Sequence, residues 1–119
     1  MDETQALSAL SALSQETRLR IVRLLVTAGP EGMAAGAIGD ALDAASSRLS
    51  FHLTHLEHAG LIQSRREGRS IRYIAAFGAL SGLIAFLMRD CCQGRPEVCL
   101  PAMSALSTCD CPSPEAKHA

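Results

Sequence analysis

The chain has no tryptophan and only four aromatic residues, three Phe and one Tyr, among 119. An all-β sandwich or barrel built on aromatic strands is therefore disfavoured. It also has almost no net charge. Eleven basic against twelve acidic residues leave −1 with histidine neutral, so the whole chain lacks the basic signature of a non-specific nucleic-acid binder. Cysteine is missing from the first ninety residues, and all five, an odd number, lie between Cys91 and Cys111. The opening MDETQ carries neither a basic n-region nor an apolar h-region. A secreted disulfide scaffold is thus disfavoured, and reduced cytoplasmic thiols, reactive or metal-binding, are expected. Long hydrophobic runs are scarce as well. Residues 73–88 are sixteen without a charge, but Gly78, Ser81 and Gly82 interrupt them and Arg72 and Arg89 flank them. A span needs roughly 20 apolar residues, so this run reads as a buried or interface helix, with no membrane partner.

What is present is one domain's worth of chain, long enough to bury a core without staples. Ala6, Leu7, Leu10 and Leu13 mark a short amphipathic helix over residues 5–13. Ser14 resembles an N-cap for a second helix, 15–28, with Leu19, Val22, Leu25 and Val26 as its stripe, Ile21 and Leu24 beside it, and Gly29-Pro30 as its stop. Residues 33–44 read as a third helix around Ile38, Ala41 and Leu42. Ser46-Ser47 then caps a fourth, running to about residue 59 with Leu49, Leu53 and Leu56 inward and Gly60 at its end. Two β-like runs, 61–66 and 69–74, surround Glu67-Gly68 as a hairpin. Helical period returns from Phe77 to about Asp90, and beyond Gly94 and Pro96 the composition is turn-rich. The predicted class is mainly α (α+β): a winged helix-turn-helix of four helices, a β-hairpin wing and a long C-terminal helix. Residues 1–92 form that domain. Residues 93–119 form a cysteine-containing tail, expected to be partly disordered.

Charge is unevenly spread over this frame. Between Ser46 and Tyr73 five arginines face two glutamates, a local +3 in a chain of −1. Arg65, Arg66, Arg69 and Arg72 lie on the hairpin, where they can grip phosphates beside a groove. Ser47, Arg48, Ser50 and His52 lie at the start of the fourth helix, where recognition helices present side chains to base edges. The plainer readings are a solvated hairpin and capping serines. His52, His55 and His58 are spaced by three, which loosely suggests metal ligands. They fan over about 120° of a helix and would need further ligands from elsewhere, so His52 is assigned to DNA and the others to the surface.

The runs LSQETRLRI at 13–21, SFHLTHLEHAGLI at 50–62 and REGRSIRY at 66–73 together resemble the ArsR family of bacterial winged-helix repressors. The combination S-x-H-L-x-x-L-x-x-A-G-L-I followed by R-x-G-R-x-x-x-Y is specific, although each piece alone is weak. The resemblance covers roughly residues 5–90. It implies a homodimer built on the first and last helices, with Leu7, Leu10, Leu83, Ile84 and Leu87 at its interface. It also implies that the fourth helix enters the major groove of operator DNA, that the hairpin acts as a wing, and that an inducer relieves repression.

Family membership leaves the inducer open. The third-helix arsenic site of many members is excluded because residues 36–43 have no cysteine, and the last-helix zinc site because 77–90 offer no histidine and a single carboxylate, Asp90. Cys91, Cys92 and Cys99 remain. Adjacent cysteines on a regular helix point about 100° apart, but at a helix end before Gly94 and Pro96 they can converge. Three thiolates favour a soft ion. As(III) or Sb(III) takes three sulfurs, whereas zinc wants a fourth ligand, so Zn, Cd or Pb would draw on Cys109 or Cys111. A subset of the family senses arsenite through cysteines after the last helix, and this segment resembles theirs. Thiol oxidation, with Cys91 or Cys92 bonding to Cys99 or Cys109, is an alternative, as are ordinary helix-end cysteines. A thiol enzyme such as an arsenate reductase is the rival of a different class. It lacks support, because there is no oxyanion loop and no C-x-x-C at a helix start.

Overall fold

The computed structural model describes residues 1–92, with side chains through Met88. Met1–Phe86 form one compact unit, and residues from Leu87 onward belong to a second. The expected tail at 93–119 lies outside the described residues.

The first helix, α1 (Glu3–Leu13), starts with a capping box: the Asp2 carboxylate accepts from the Gln5 backbone N–H, and the Gln5 side chain accepts from the Asp2 N–H. Its buried face is Ala6, Ala9 and Ala12, while Leu7 and Leu10 are 61% and 40% exposed. The sequence stripe mixed the two faces. Alanine lets α1 lie close to the core, which leaves the larger leucines outside. In α2 (Glu16–Ala28) the N-cap is Gln15, whose side chain accepts from Arg18 N–H, and Ser14 instead closes α1. Ile21, Val22 and Leu25 are buried, whereas Leu19 and Val26, expected in the stripe, are exposed.

A 3-10 turn (Gly29–Glu31) leads to a strand absent from the sequence reading, β1 (Met33–Ala34). Two residues are too few to show a period, and by pattern alone Met33 and Ala34 read as the start of the third helix. Their strand pairing depends on a partner forty residues away: Met33 lies opposite Tyr73 and Ala34 opposite Arg72. Helix α3 (Ala35–Leu42) ends on Asp43 in the left-handed conformation, and α4 (Ser46–His58) follows after a tight turn. The N-cap of α4 is Ala45 without a side-chain bond, so Ser46 and Ser47 are its first helical residues rather than caps.

Strands β2 (Ile62–Glu67) and β3 (Ser70–Ala75) form the hairpin, and with β1 they make an antiparallel sheet in the order β1-β3-β2. Its two-residue loop, Gly68-Arg69, has positive φ at glycine alone, the II′ pattern whose twist suits a hairpin. Helix α5 (Phe77–Cys92) completes five helices, four before the wing and one after it. Among the described residues no helix is long and apolar enough to cross a membrane.

Ile21, Leu25, Ile38, Leu53, Leu56, Leu61 and Ile62 are the largest fully buried side chains, drawn from α2, α3, α4 and β2 and its approach. Leu83 of α5 is also buried within the chain, although it was expected at a dimer interface.

Two glycines separate backbone strain from crowding. Gly29 and Gly32 both have positive φ, but a Cβ on Gly29 meets nothing, while one on Gly32 would overlap the Tyr73 carbonyl oxygen and crowd Ile74. Gly29→Ala is expected to cost about 1–3 kcal/mol, the strain of a positive-φ, extended-ψ conformation that essentially only glycine adopts. Gly32→Ala must also displace β3 and should lower the urea midpoint further. Equal midpoints for the two variants would show that the sheet tolerates the shift.

Candidate nucleic-acid interface

The apolar stripe Leu49, Leu53 and Leu56 sets the rotation of α4 about its axis. At about 100° per residue the opposite face then carries Ser47, Phe51, Thr54, His55 and His58. Ser47, Arg48 and Ser50 are exposed, and Ser50 and His52 sit toward opposite flanks of the helix. Phe51 is 65% exposed near the centre of the outer face, with edge-on ring contacts to His52 and His55.

His52 is half-buried, and Arg18 holds it. Arg18 donates through Nη1 to His52 Nδ1 at 3.2 Å and through Nε to the Ala12 carbonyl at 2.8 Å, so one guanidinium links the end of α1, α2 and α4. Arginine only donates, so Nδ1 must accept and the neutral ring carries its proton on Nε2. Burial pushes the His52 pKa below its usual 6.5, and the nearby positive charges of Arg18, His55 and Arg48 push the same way.

In the wing, register decides which arginines can reach a ligand. Arg65 and Arg72 lie directly opposite each other. Arg65 pairs with Glu67 at 3.0 Å, and Arg72 donates to the Glu31 and Gly32 carbonyls at 2.9 and 3.1 Å. Arg72 thus anchors the sheet to the 3-10 turn, a structural task in place of the phosphate grip expected for it. Arg66 and Arg69 are exposed and have no hydrogen-bond or ion-pair partner among the described residues. Arg66 shares a sheet face with Ser64 and Tyr73. Ser64 donates to Glu57 at 2.7 Å, so that face is joined to α4. Burial and the Glu57 charge both raise the Tyr73 pKa.

A helix exposing hydroxyls and imidazoles, beside a hairpin exposing two unpaired arginines, is the layout of a winged helix-turn-helix. A helix-turn-helix domain model matches residues 13–65, from the end of α1 into β2. The HTH-type transcriptional regulator YgaV of Escherichia coli is 33% identical over 88 residues, covering 74% of this chain and 87% of that protein. The chain belongs to the ArsR family of winged-helix transcriptional regulators. A putative arsenical resistance operon repressor, ArsR, of Halobacterium salinarum is 39% identical over 64 residues, 54% of this chain and 49% of that one. Among solved structures, an ArsR-like transcriptional regulator from Rhodococcus sp. RHA1 superposes with a TM-score of 0.66 at 28% identity, covering 87% of this chain and 92% of that one. The homodimeric winged helix-turn-helix domain of Mb0332 from Mycobacterium bovis, a possible ArsR-family regulator, gives 0.58 at 30% identity over 71% and 75%. These relatives are transcriptional regulators rather than enzymes.

Of the site residues expected in this regulator, α4 carries Ser47, Arg48, Ser50 and His52, and the wing carries Arg66 and Arg69. Cys91 and Cys92 are the last two residues of α5, and their side chains, like all of Cys99, lie outside the described residues. Among the described residues no three potential ligands gather to hold a metal, so His52, His55 and His58 form no such group. Sequence reasoning missed Arg18 and Phe51. Arg18 left no local trace, because its partner is 34 positions away. Phe51 did leave one: it is an apolar residue out of phase with Leu49, Leu53 and Leu56.

The lowered His52 pKa has a stability consequence. Below 6.5 the unfolded chain takes up a proton that the folded ring resists, so stability is full above 6.5 and falls as pH drops from there toward the folded value. An NMR titration of the imidazole should place His52 below 6.5. Arg18→Met should move it upward only part of the way, since burial is the larger cause. A midpoint at or above 6.5 in the unsubstituted chain would contradict the assignment.

Proposed function

We propose that this regulator is a homodimeric, arsenite-responsive repressor that releases operator DNA when its C-terminal cysteines take up As(III). The observation that carries the DNA half is the exposed, unpaired Arg66 and Arg69 on a wing joined to α4 through Ser64 and Glu57. In this reading Ser47, Arg48 and Ser50 approach base edges and phosphates. His52, with Nδ1 occupied by Arg18, offers its Nε2–H to the backbone. Arg66 and Arg69 hold the phosphates beside the groove.

Dimerisation is supported by apolar side chains left uncovered among the described residues. Leu7 and Leu10 on α1, and Ile84 and Leu87 on α5, are each 40–61% exposed. The Mycobacterium bovis relative is homodimeric. A two-fold dimer would present two recognition helices to two half-sites about one helical turn apart.

The inducer reading rests on the donor set. Cys91 and Cys92 are the last two residues of α5, and Cys99 follows seven positions later in the sequence. Three thiolates with no imidazole beside them in sequence, and only Asp90 and Glu97 as neighbouring carboxylates, suit a thiophilic trivalent ion, As(III) or Sb(III), which three sulfurs can hold. The Halobacterium relative bears an arsenical resistance name. Reciprocity requires bound DNA to weaken As(III) binding by the factor by which As(III) weakens DNA binding.

The test is a gel shift of the full reduced chain on duplexes that it selects from a random pool, titrated with As(III), Sb(III), Zn(II), Cd(II), Pb(II) and peroxide. As(III) should lower DNA affinity by about 5–150-fold. Cys91→Ser should bind the same duplex equally well and lose that release. Release of Cys91→Ser by As(III) at the unsubstituted concentration would refute the site. Release only by peroxide or a divalent ion would replace the inducer, and a target promoter that falls silent when the chain is deleted would reverse the sign of regulation.

A further inference from the structure

The outer face of α4 carries a side chain that neither core packing nor phosphate binding explains. Phe51 leaves 65% of its surface in solvent, more than any other large apolar residue on the helices and strands of the described chain. It lies almost diametrically opposite the Leu49, Leu53 and Leu56 stripe, so the fold gains little from it. Its ring lies edge-on to His52 at 5.6 Å between centroids and to His55 at 6.4 Å. Around it are the hydroxyls of Ser47, Ser50 and Thr54, in an open groove with no carboxylate among the described residues lining it.

We infer that Phe51 is a specificity-determining residue that reads the C5-methyl group of a thymine in each operator half-site. The inference rests on the DNA-binding reading above and adds to it which base edge the centre of α4 recognises. The B-DNA major groove, about 12 Å wide, admits a helix of about 10–12 Å diameter, and the minor groove of about 6 Å does not. Arg48 on the helix and Arg66 and Arg69 on the wing supply the positive charge that draws phosphates to either side of the groove. With α4 seated this way, the centre of its outer face meets base edges first. A phenyl ring has no donor or acceptor for guanine, cytosine or adenine edges, and it would leave their polar atoms without water or partner. The thymine methyl is the one apolar group displayed in that groove. The neighbouring hydroxyls of Ser47, Ser50 and Thr54 can pair with either donors or acceptors, so they accommodate flanking bases without competing for that position.

The experiment separates the methyl group from everything else in the base pair. Duplexes selected from a random pool by the unsubstituted full chain are resynthesised with single thymines replaced by deoxyuracil, which removes only the methyl. The unsubstituted chain should lose about 4-fold in affinity at one thymine per half-site, the equivalent of one buried methyl group. Phe51→Ala should bind the thymine duplex several-fold more weakly and bind thymine and uracil duplexes alike. Phe51→Leu, which keeps an apolar tip, should retain part of the discrimination. Because Phe51 is exposed, both variants should keep the parent's circular dichroism and its salt-dependent binding to random DNA. Undiminished methyl discrimination by Phe51→Ala, or indifference of the unsubstituted chain to every thymine methyl, overturns the inference and leaves DNA binding standing. If the unsubstituted chain enriches no duplex and shows no salt-dependent binding, the DNA-binding reading falls and the inference with it.

Discussion

Burial of Leu49, Leu53 and Leu56 is the constraint on which the rest of the interface depends. Each leucine is at most 3% exposed, and burying such a side chain is worth roughly 1.5–3 kcal/mol. Rotating α4 by a third of a turn would forfeit much of that. The identity of the outward residues follows directly: Phe51 and the hydroxyls face solvent because the leucines cannot. Ile21, Leu25 and Ile38 form the floor for the stripe, and Gly39 lets α3 lie close, since a Cβ there would sit 3.3 Å from the Ala44 carbonyl and 3.4 Å from a Leu49 methyl.

Polar contacts refine this arrangement without supplying its main energy. Arg18 bonds to the Ala12 carbonyl and to His52, and Ser64 bonds to Glu57, so α4 is tied to α2 at one side and to the wing at the other. Exposed or half-buried bonds of this kind contribute about 1 kcal/mol each, too little to hold a fold and enough to hold an orientation. The same logic divides the hairpin arginines. Placing Arg65 opposite Arg72 brings like charges together, and each is drawn off by an oxygen of its own, the Glu67 carboxylate or the turn carbonyls. Arg66 and Arg69 have no such oxygen among the described residues.

Much of this was legible in the sequence, and the failures have a common cause. The stripe of α4, the glycine-containing hairpin loop and the helix-helix-wing order were visible because each is written within a dozen neighbouring residues. The hairpin strands differ from expectation by one residue at their ends. Strand β1 was missed because its pairing with β3 spans forty positions, and the outer face of α1 was misjudged because alanine and leucine count alike in an apolar pattern although only alanine permits close packing. The caps at Ser14 and Ser46-Ser47 were assigned by residue type, while Gln15 and Ala45 hold those places. Arg72 was read as a phosphate ligand because its sequence shows a charge and cannot show the carbonyls of Glu31 and Gly32 that occupy it.

In the proposed function the outward face of α4 and the two wing arginines form one DNA-binding surface. That surface is tested most directly by the slope of log affinity against log salt for the full chain on a selected duplex. Each phosphate contact adds about 0.9 to the magnitude of that slope, so Arg66→Ala or Arg69→Ala should lower it by about 1.8 for the proposed homodimer. Slopes unchanged by either substitution would show that the wing does not touch the DNA and would contradict the account.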